Sequence, residues 1–363
     1  MKTTYFKNIL LALALLPYFV LATDGPVKGK YTKEKTIKKE FIVNTDALLK
    51  IKNSYGNLNI TSWNEDRVRI EVHITTNGNN EKKVQERLND ITVDFDASAS
   101  EVEAITNLSK QSGNWYNRWN NKNQVNMQIN YTVKVPVKNS VNLNNDYGNI
   151  SLDRIDGHAK INCDYGRLTI GELRGRNNEI NFDYTSKSTF GFINSGQINA
   201  DYSGFTIEKA GDLKINADYT TIAIDSMKDL NYSCDYGAMD VKQVGSISGI
   251  GDYISTNFGK VTGDVSISAD YGGVKIKELT ETAGDVTIKT DYSSIKIGYH
   301  PNYAFNVEIS TKYAGVSGTD ALELSVSMEK STSKYYKGFH KQENSGNTMY
   351  LSSQYGGISL IKN

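Results

Sequence analysis

The dipeptide Asp-Tyr occurs nine times in this chain, at Asp146-Tyr147, Asp164-Tyr165, Asp183-Tyr184, Asp201-Tyr202, Asp218-Tyr219, Asp235-Tyr236, Asp252-Tyr253, Asp270-Tyr271 and Asp291-Tyr292. Successive tyrosines are 18, 19, 18, 17, 17, 17, 18 and 21 residues apart. A further step of 21 reaches Tyr313, and twice 21 more reaches Tyr355, with a degenerate copy expected near Tyr335. If the copies stack in register, the carboxylates form a column with a spacing of about 5 Å. Such a column could bind calcium, because hard cations take clustered carboxylate oxygens. Alternatively each Asp accepts backbone N–H bonds at its own bend. The second reading is favoured: the Gly-Gly-x-Gly-x-Asp pattern is missing, and Lys312 and Gln354 replace Asp in the last two copies. Calcium is the one cofactor the pattern leaves open. Repulsion along the column should raise some carboxylate pKa values.

The tyrosines allow two readings as well, a sugar-binding stripe or a packed aromatic spine. Strand parity puts Tyr165 on the side of Ile161 and Cys163, an inward or corner position, which favours the spine. Ring–ring contacts of that kind contribute about 0.5–1.5 kcal/mol each. A third constellation lies in Ser109–Asn123, where Trp115, Tyr116, Arg118 and Trp119 sit among Asn, Gly and Lys. Aromatics in so polar a setting can bind a glycan, a partner protein or a membrane interface. The alternative is that the loop folds over a sheet edge and buries its tryptophans. Among these features the loop is the best candidate for an interaction site.

Catalytic signatures are absent from the sequence. His73, His158, His300 and His340 are dispersed without metal-ligand spacing. Gly245-Ser246-Ile247-Ser248-Gly249 has Ile where a nucleophile elbow needs Ser. A glycosidase carboxylate pair would break the repeat symmetry that the Asp column obeys. The expectation is a non-enzymatic protein. The alternative, a calcium-assisted polysaccharide-processing β-helix enzyme, would need one coil with added carboxylates or bases, and none stands out.

The elements that must carry these columns are short strands. In Ile161-Asn162-Cys163-Asp164-Tyr165-Gly166-Arg167-Leu168-Thr169-Ile170, apolar and polar residues alternate, Gly166 permits a bend, and alternation resumes at Leu168. Units of 17 to 21 residues cannot close a core alone and must stack. Residues 140–363 are therefore expected to form a parallel β-solenoid of about 12 short coils, roughly 55 Å long, in an all-β protein. Residues 23–36 read as a flexible lead-in and 37–139 as a β-rich cap domain. Within the cap, strands are expected at Ile37–Val43, Leu48–Asn53, Leu58–Ile60, Val68–Thr75, Ile91–Phe95 and Val125–Val135, with one helix at Glu81–Leu88. Asn53-Ser54-Tyr55-Gly56-Asn57-Leu58 is a lone early copy of the repeat. The opposite end would be covered by the irregular stretch 325–347 or by the closing strand Ile358–Ile361.

Residues 1–22 read as a secretory signal: Lys2 and Lys7, then the apolar run Ile9–Ala22, then Asp24-Gly25-Pro26. Cleavage after Ala22 makes the mature chain periplasmic, surface-bound or secreted, with no transmembrane helix. The whole chain carries 41 basic and 41 acidic residues, and losing Lys2 and Lys7 leaves a net charge near −2. So balanced a chain gives no reason to expect nucleic acid as a partner; a glycan or an envelope or surface protein remains. Cys163 and Cys234 are four coils apart, about 19 Å, beyond the reach of a disulfide, and should be buried free thiols.

Leu49–Ile60 (LKIKNSYGNLNI), Tyr131–Pro136 (YTVKVP) and Val141–Ile150 (VNLNNDYGNI) together resemble the exported β-strand-repeat proteins of the bacterial "putative adhesin" family, related to auto-transporter adhesin head domains. The resemblance spans about 37–363. It implies an exported β-solenoid with an adhesin-like role and supplies no catalytic residues.

Overall fold

A computed structural model describes residues 29–108 and 125–363. The described chain is all-β apart from the helix Glu81–Asp90 and one short 3-10 turn, and its 27 strands belong to one large sheet that does not close. Residues 1–22 and the loop residues Trp115, Tyr116, Arg118 and Trp119 lie outside the described residues.

Parallel pairing between repeats follows the periodicity. The strand Ala159–Asp164 pairs with Ser140–Asp146 on one side and Asn178–Asp183 on the other, Asp opposite Asp. The same register continues through Asp201, Asp235, Asp270 and Asp291. Because the period of a strand is two, one register buries Ile161, Ile180, Ile198 and Ile215 together and leaves the polar alternates outside. From Ser188 to Asp252 the strands lengthen to 14–16 residues, and each runs through most of a repeat without a break. One buried apolar cluster extends from Val43 to Leu360.

At the N-terminal end the pairing becomes antiparallel. Leu48–Ser54 and Leu58–Trp63 pair in parallel with the first repeats and, on their other side, with Glu101–Leu108 and Asn126–Pro136. These last two then take antiparallel neighbours, Ile91–Ala97 on one and Arg67–Gly78 with Tyr31–Ile42 on the other. The first strand starts at Tyr31, earlier than the alternation from Ile37 marks. Along it Lys38 and Lys39 are exposed charges that discourage further strand pairing, whereas Lys33 pairs with Glu81 and Lys35 donates to the Leu88 and Ile91 carbonyls. Helix Glu81–Asp90 begins where Asn80 caps the Lys83 N–H at 3.1 Å, and it buries Val84 and Leu88.

At the C-terminal end chain order and spatial order part. Thr348–Gln354 inserts between Val286–Asp291 and Phe305–Lys312, parallel to both. The closing strand Ile358–Lys362 likewise lies between Ser294–Tyr299 and the short strand Val316–Ser317. It is therefore inside the stack and does not cover its end. Nor is 325–347 irregular: Glu323–Lys330 and Ser333–His340 form an antiparallel hairpin laid on Phe305–Lys312. Tyr335 belongs to this hairpin and is not a degenerate repeat copy.

Candidate functional site

Each repeat bends at its tyrosine. Tyr165 has φ 56°, and every tyrosine of the row from Tyr55 to Tyr355 lies between 50° and 65°. This left-handed conformation costs an L-residue roughly 1–2 kcal/mol. It is held by a bond to the adjoining repeat: Tyr165 N donates to Asp183 O at 3.1 Å, and Tyr202 N to Asp218 O at 2.9 Å. The positive φ also reverses the parity argument. Ile161 and Cys163 are buried, whereas Tyr165 is 52% exposed, so the row stands on the outer corner and its inward placement does not occur. Gly166 serves a different purpose from bending, since its φ is not positive. A Cβ there would lie 1.9 Å from the carbonyl oxygen of Gly148 in the adjoining repeat. Other bends use a hydroxyl at this position: Thr185, Ser203 and Thr220 each donate to the carbonyl of the preceding Asp at 2.8–3.0 Å.

The rings form a continuous ladder. From Tyr55 through Tyr147, Tyr165, Tyr184 and onward to Tyr292, then Tyr355 and finally Tyr313, neighbouring centroids are 4.7–5.3 Å apart and ring planes agree within 8°. Tyr355 lies between Tyr292 and Tyr313, as the backbone bonds Tyr292 N to Gln354 O and Tyr355 N to Lys312 O require. Because each ring face covers its neighbour, the row offers ring edges and hydroxyls, with open faces only at its ends. A sugar therefore has no ring face to stack on along its length. Burial against adjacent rings, with their like charge on ionisation, raises the phenol pKa at Tyr165, Tyr236 and Tyr271.

The carboxylates run beside the rings. Asp183 Oδ1 accepts Asp201 N at 3.0 Å, Asp201 accepts Asp218 N at 3.0 Å, Asp235 accepts Asp252 N at 2.9 Å, and Asp270 accepts Asp291 N at 3.1 Å. The accepted N–H belongs to the neighbouring repeat, so each carboxylate links two layers. Desolvation, followed by repulsion from the column neighbours, raises the pKa of Asp164 and Asp252; desolvation leads at Asp218 as well. Among the described residues no group of three or more His, Cys, Asp or Glu is disposed to hold a metal ion.

An amide ladder flanks the carboxylates. Asn162 donates to Asn144 at 2.6 Å, Asn181 to Asn162 at 2.8 Å, Asn199 to Asn181 at 2.6 Å and Asn216 to Asn199 at 2.8 Å. Sequence reasoning missed it, although the recurring Asn two residues before Asp146, Asp164, Asp183, Asp201 and Asp218 carried the signal. Side by side, the Asn, Asp and Tyr rows make a periodic polar and aromatic strip.

Elsewhere, a shallow depression lies over Gly171 and Gly191, beside Phe192. Its Glu172 is occupied by an ion pair with Arg174 at 2.6 Å. Cys163 and Cys234 are free and buried, and burial pushes both thiols up to about 12, which makes them unreactive near neutral pH. At the C-terminal end His340 is buried against Tyr299 and Phe305, and its Nδ1 donates to Tyr303 O at 2.7 Å. Burial lowers its pKa below 6.5.

No protein-family model matches this chain, and no curated protein matches it. Several solved structures are similar at low identity. A "putative cell adhesion protein" from Clostridium sporogenes is 13% identical, with 91% of this chain and 100% of that one covered and a TM-score of 0.19. A "putative adhesin" from Parabacteroides distasonis is 13% identical, with 74% and 95% covered and a TM-score of 0.35. A "putative lipid binding protein" from the same species is 9% identical, with 90% and 96% covered and a TM-score of 0.29. Likenesses this distant assign no ligand to the present chain. Among the described residues no helix is long and apolar enough to cross a membrane.

Proposed function

We propose that this chain is a non-enzymatic exported envelope or cell-surface protein, an adhesin-like binding or scaffold module. In this reading residues 140–363 form a β-solenoid of about 12 coils, residues 37–139 form its cap, and residues 1–22 are the export signal. The strand Leu48–Ser54 is the cap segment that joins the two, because it pairs directly with Ser140–Asp146. The observation that carries the proposal is the outer strip. Its rings repeat every 4.7–5.3 Å from Tyr55 to Tyr313. Catalysis needs one position unlike the rest, whereas a recurring surface suits an extended or multivalent contact.

The test is to present the mature chain to an array of glycans and to envelope fractions, while monitoring the soluble products. Saturable binding without new sugar ends is expected. Release of reducing or unsaturated ends from a polysaccharide would overturn the reading in favour of an enzyme. Within the proposal, Trp115, Tyr116, Arg118 and Trp119 are an additional contact, tested by the double substitution Trp115→Ala, Trp119→Ala. Binding should fall with the melting temperature unchanged.

A further inference from the structure

The tyrosine row has a chemical property that needs no binding partner. Phenols are oxidised by one electron, and two phenoxyl radicals held side by side join through carbon. Here neighbouring rings are parallel within 8° and centred 4.7–5.3 Å apart. They are also 40–60% exposed, so an oxidant and the departing proton both have access. Exposed side chains rotate on the picosecond-to-nanosecond scale, which lets adjacent rings tilt into contact while their backbones stay hydrogen-bonded.

We propose that this row is a site of oxidative tyrosine–tyrosine coupling, which staples adjoining repeats when the protein meets a one-electron phenol oxidant such as a haem peroxidase with hydrogen peroxide. In each event two tyrosines lose one electron apiece, and each phenolic proton passes to water. The two radicals form one bond between carbons ortho to the hydroxyls, and the two ortho hydrogens then move to the oxygens to restore both phenols. The net loss is two protons and two electrons per link, which reduce one hydrogen peroxide to two waters. Each link closes a loop across layers that are already neighbours, so the folded state is little distorted while the unfolded chain is constrained.

The geometry makes a specific demand on connectivity. At the C-terminal end Tyr355 is the ring between Tyr292 and Tyr313. Links must therefore join Tyr292 to Tyr355 and Tyr355 to Tyr313, with none between Tyr292 and Tyr313, although those two are consecutive in the sequence pattern.

The experiment treats the dilute full chain with horseradish peroxidase and limiting hydrogen peroxide, isolates the monomer, and maps cross-linked peptides by mass spectrometry. Loss of two hydrogens per link, dityrosine fluorescence in the monomer, and links between row neighbours including Tyr292–Tyr355 are expected, with a higher melting temperature. The Tyr219→Phe variant keeps the ring but should lose the Tyr202–Tyr219 and Tyr219–Tyr236 links while keeping Tyr165–Tyr184. Dityrosine only between chains, none in the monomer, a Tyr292–Tyr313 link, or the same pairs formed equally in urea-unfolded chain would each overturn the proposal.

Discussion

The middle of the stack and its C-terminal end solve the same packing problem differently. Between Asp183 and Asp252 the next repeat in sequence is the next neighbour in space, and strands such as Gly204–Asp218 run unbroken into register. At the end the chain leaves a gap beside Val286–Asp291, builds Phe305–Lys312 one place further out, adds a hairpin, and returns to fill the gap with Thr348–Gln354. The middle can grow indefinitely because every layer offers its successor the same edge. The end must stop: an antiparallel hairpin covers the edge of Phe305–Lys312 and itself ends on Glu323–Lys330, an exposed strand paired on one side whose Glu323, Glu329 and Lys330 discourage further pairing. Side-chain fit fixes the final insertion: Leu351 and Met349 are buried, and Thr290 Oγ1 meets Ser353 Oγ at 3.0 Å.

The largest test of this contrast is truncation after Lys341. Removing the inserted strand should strip protection from 305–340 in hydrogen exchange while 178–261 stays protected. Equal loss in both regions would show that the stack behaves as one cooperative unit. Next is Gly166→Val, which places a side chain against the Gly148 carbonyl and should cost about 2–3 kcal/mol in denaturant unfolding. The same change at Gly315, where nothing lies within 4 Å, should cost far less.

A smaller effect, of opposite sign in the two regions, is expected from pH. His340 has a folded pKa below 6.5, so its contribution is present above 6.5 and is lost as pH falls from there through the folded value. Lys341 and Lys362 add to the cost of charging it. Asp164, Asp218 and Asp252 have folded values raised above 3.8, so their contribution is full below 3.8 and is lost as pH rises through the folded values. Moving from pH 7 to about 3.8 should loosen the C-terminal end, while these three Asp tighten the middle against the opposite effect of Asp229, whose folded value is lowered. Exchange rates in 299–340 and 161–252 at the two pH values test both signs together.

Much of the repeat was legible because its grammar is local. Alternation named Ile161 and Cys163 as buried, and the Asp-Tyr period named the row. The orientation of the tyrosines was not legible, because a single positive φ reverses the side that parity assigns. The helix at Glu81 was marked by its polar run, whereas strand Glu101–Leu108, with its acidic alternates, was missed. The amide ladder is written in the sequence as single asparagines, and only stacking shows that each bonds to the next.

The sequence by itself determined the repeat length, the buried alternates and the composition of the outer rows, since those depend on residues within a few positions of one another. Tertiary structure alone decided that Tyr355 stands between Tyr292 and Tyr313, and that the hairpin covers the edge beyond. That choice compares side chains far apart along the chain, and no local spacing encodes which of two compatible edges a returning strand will take.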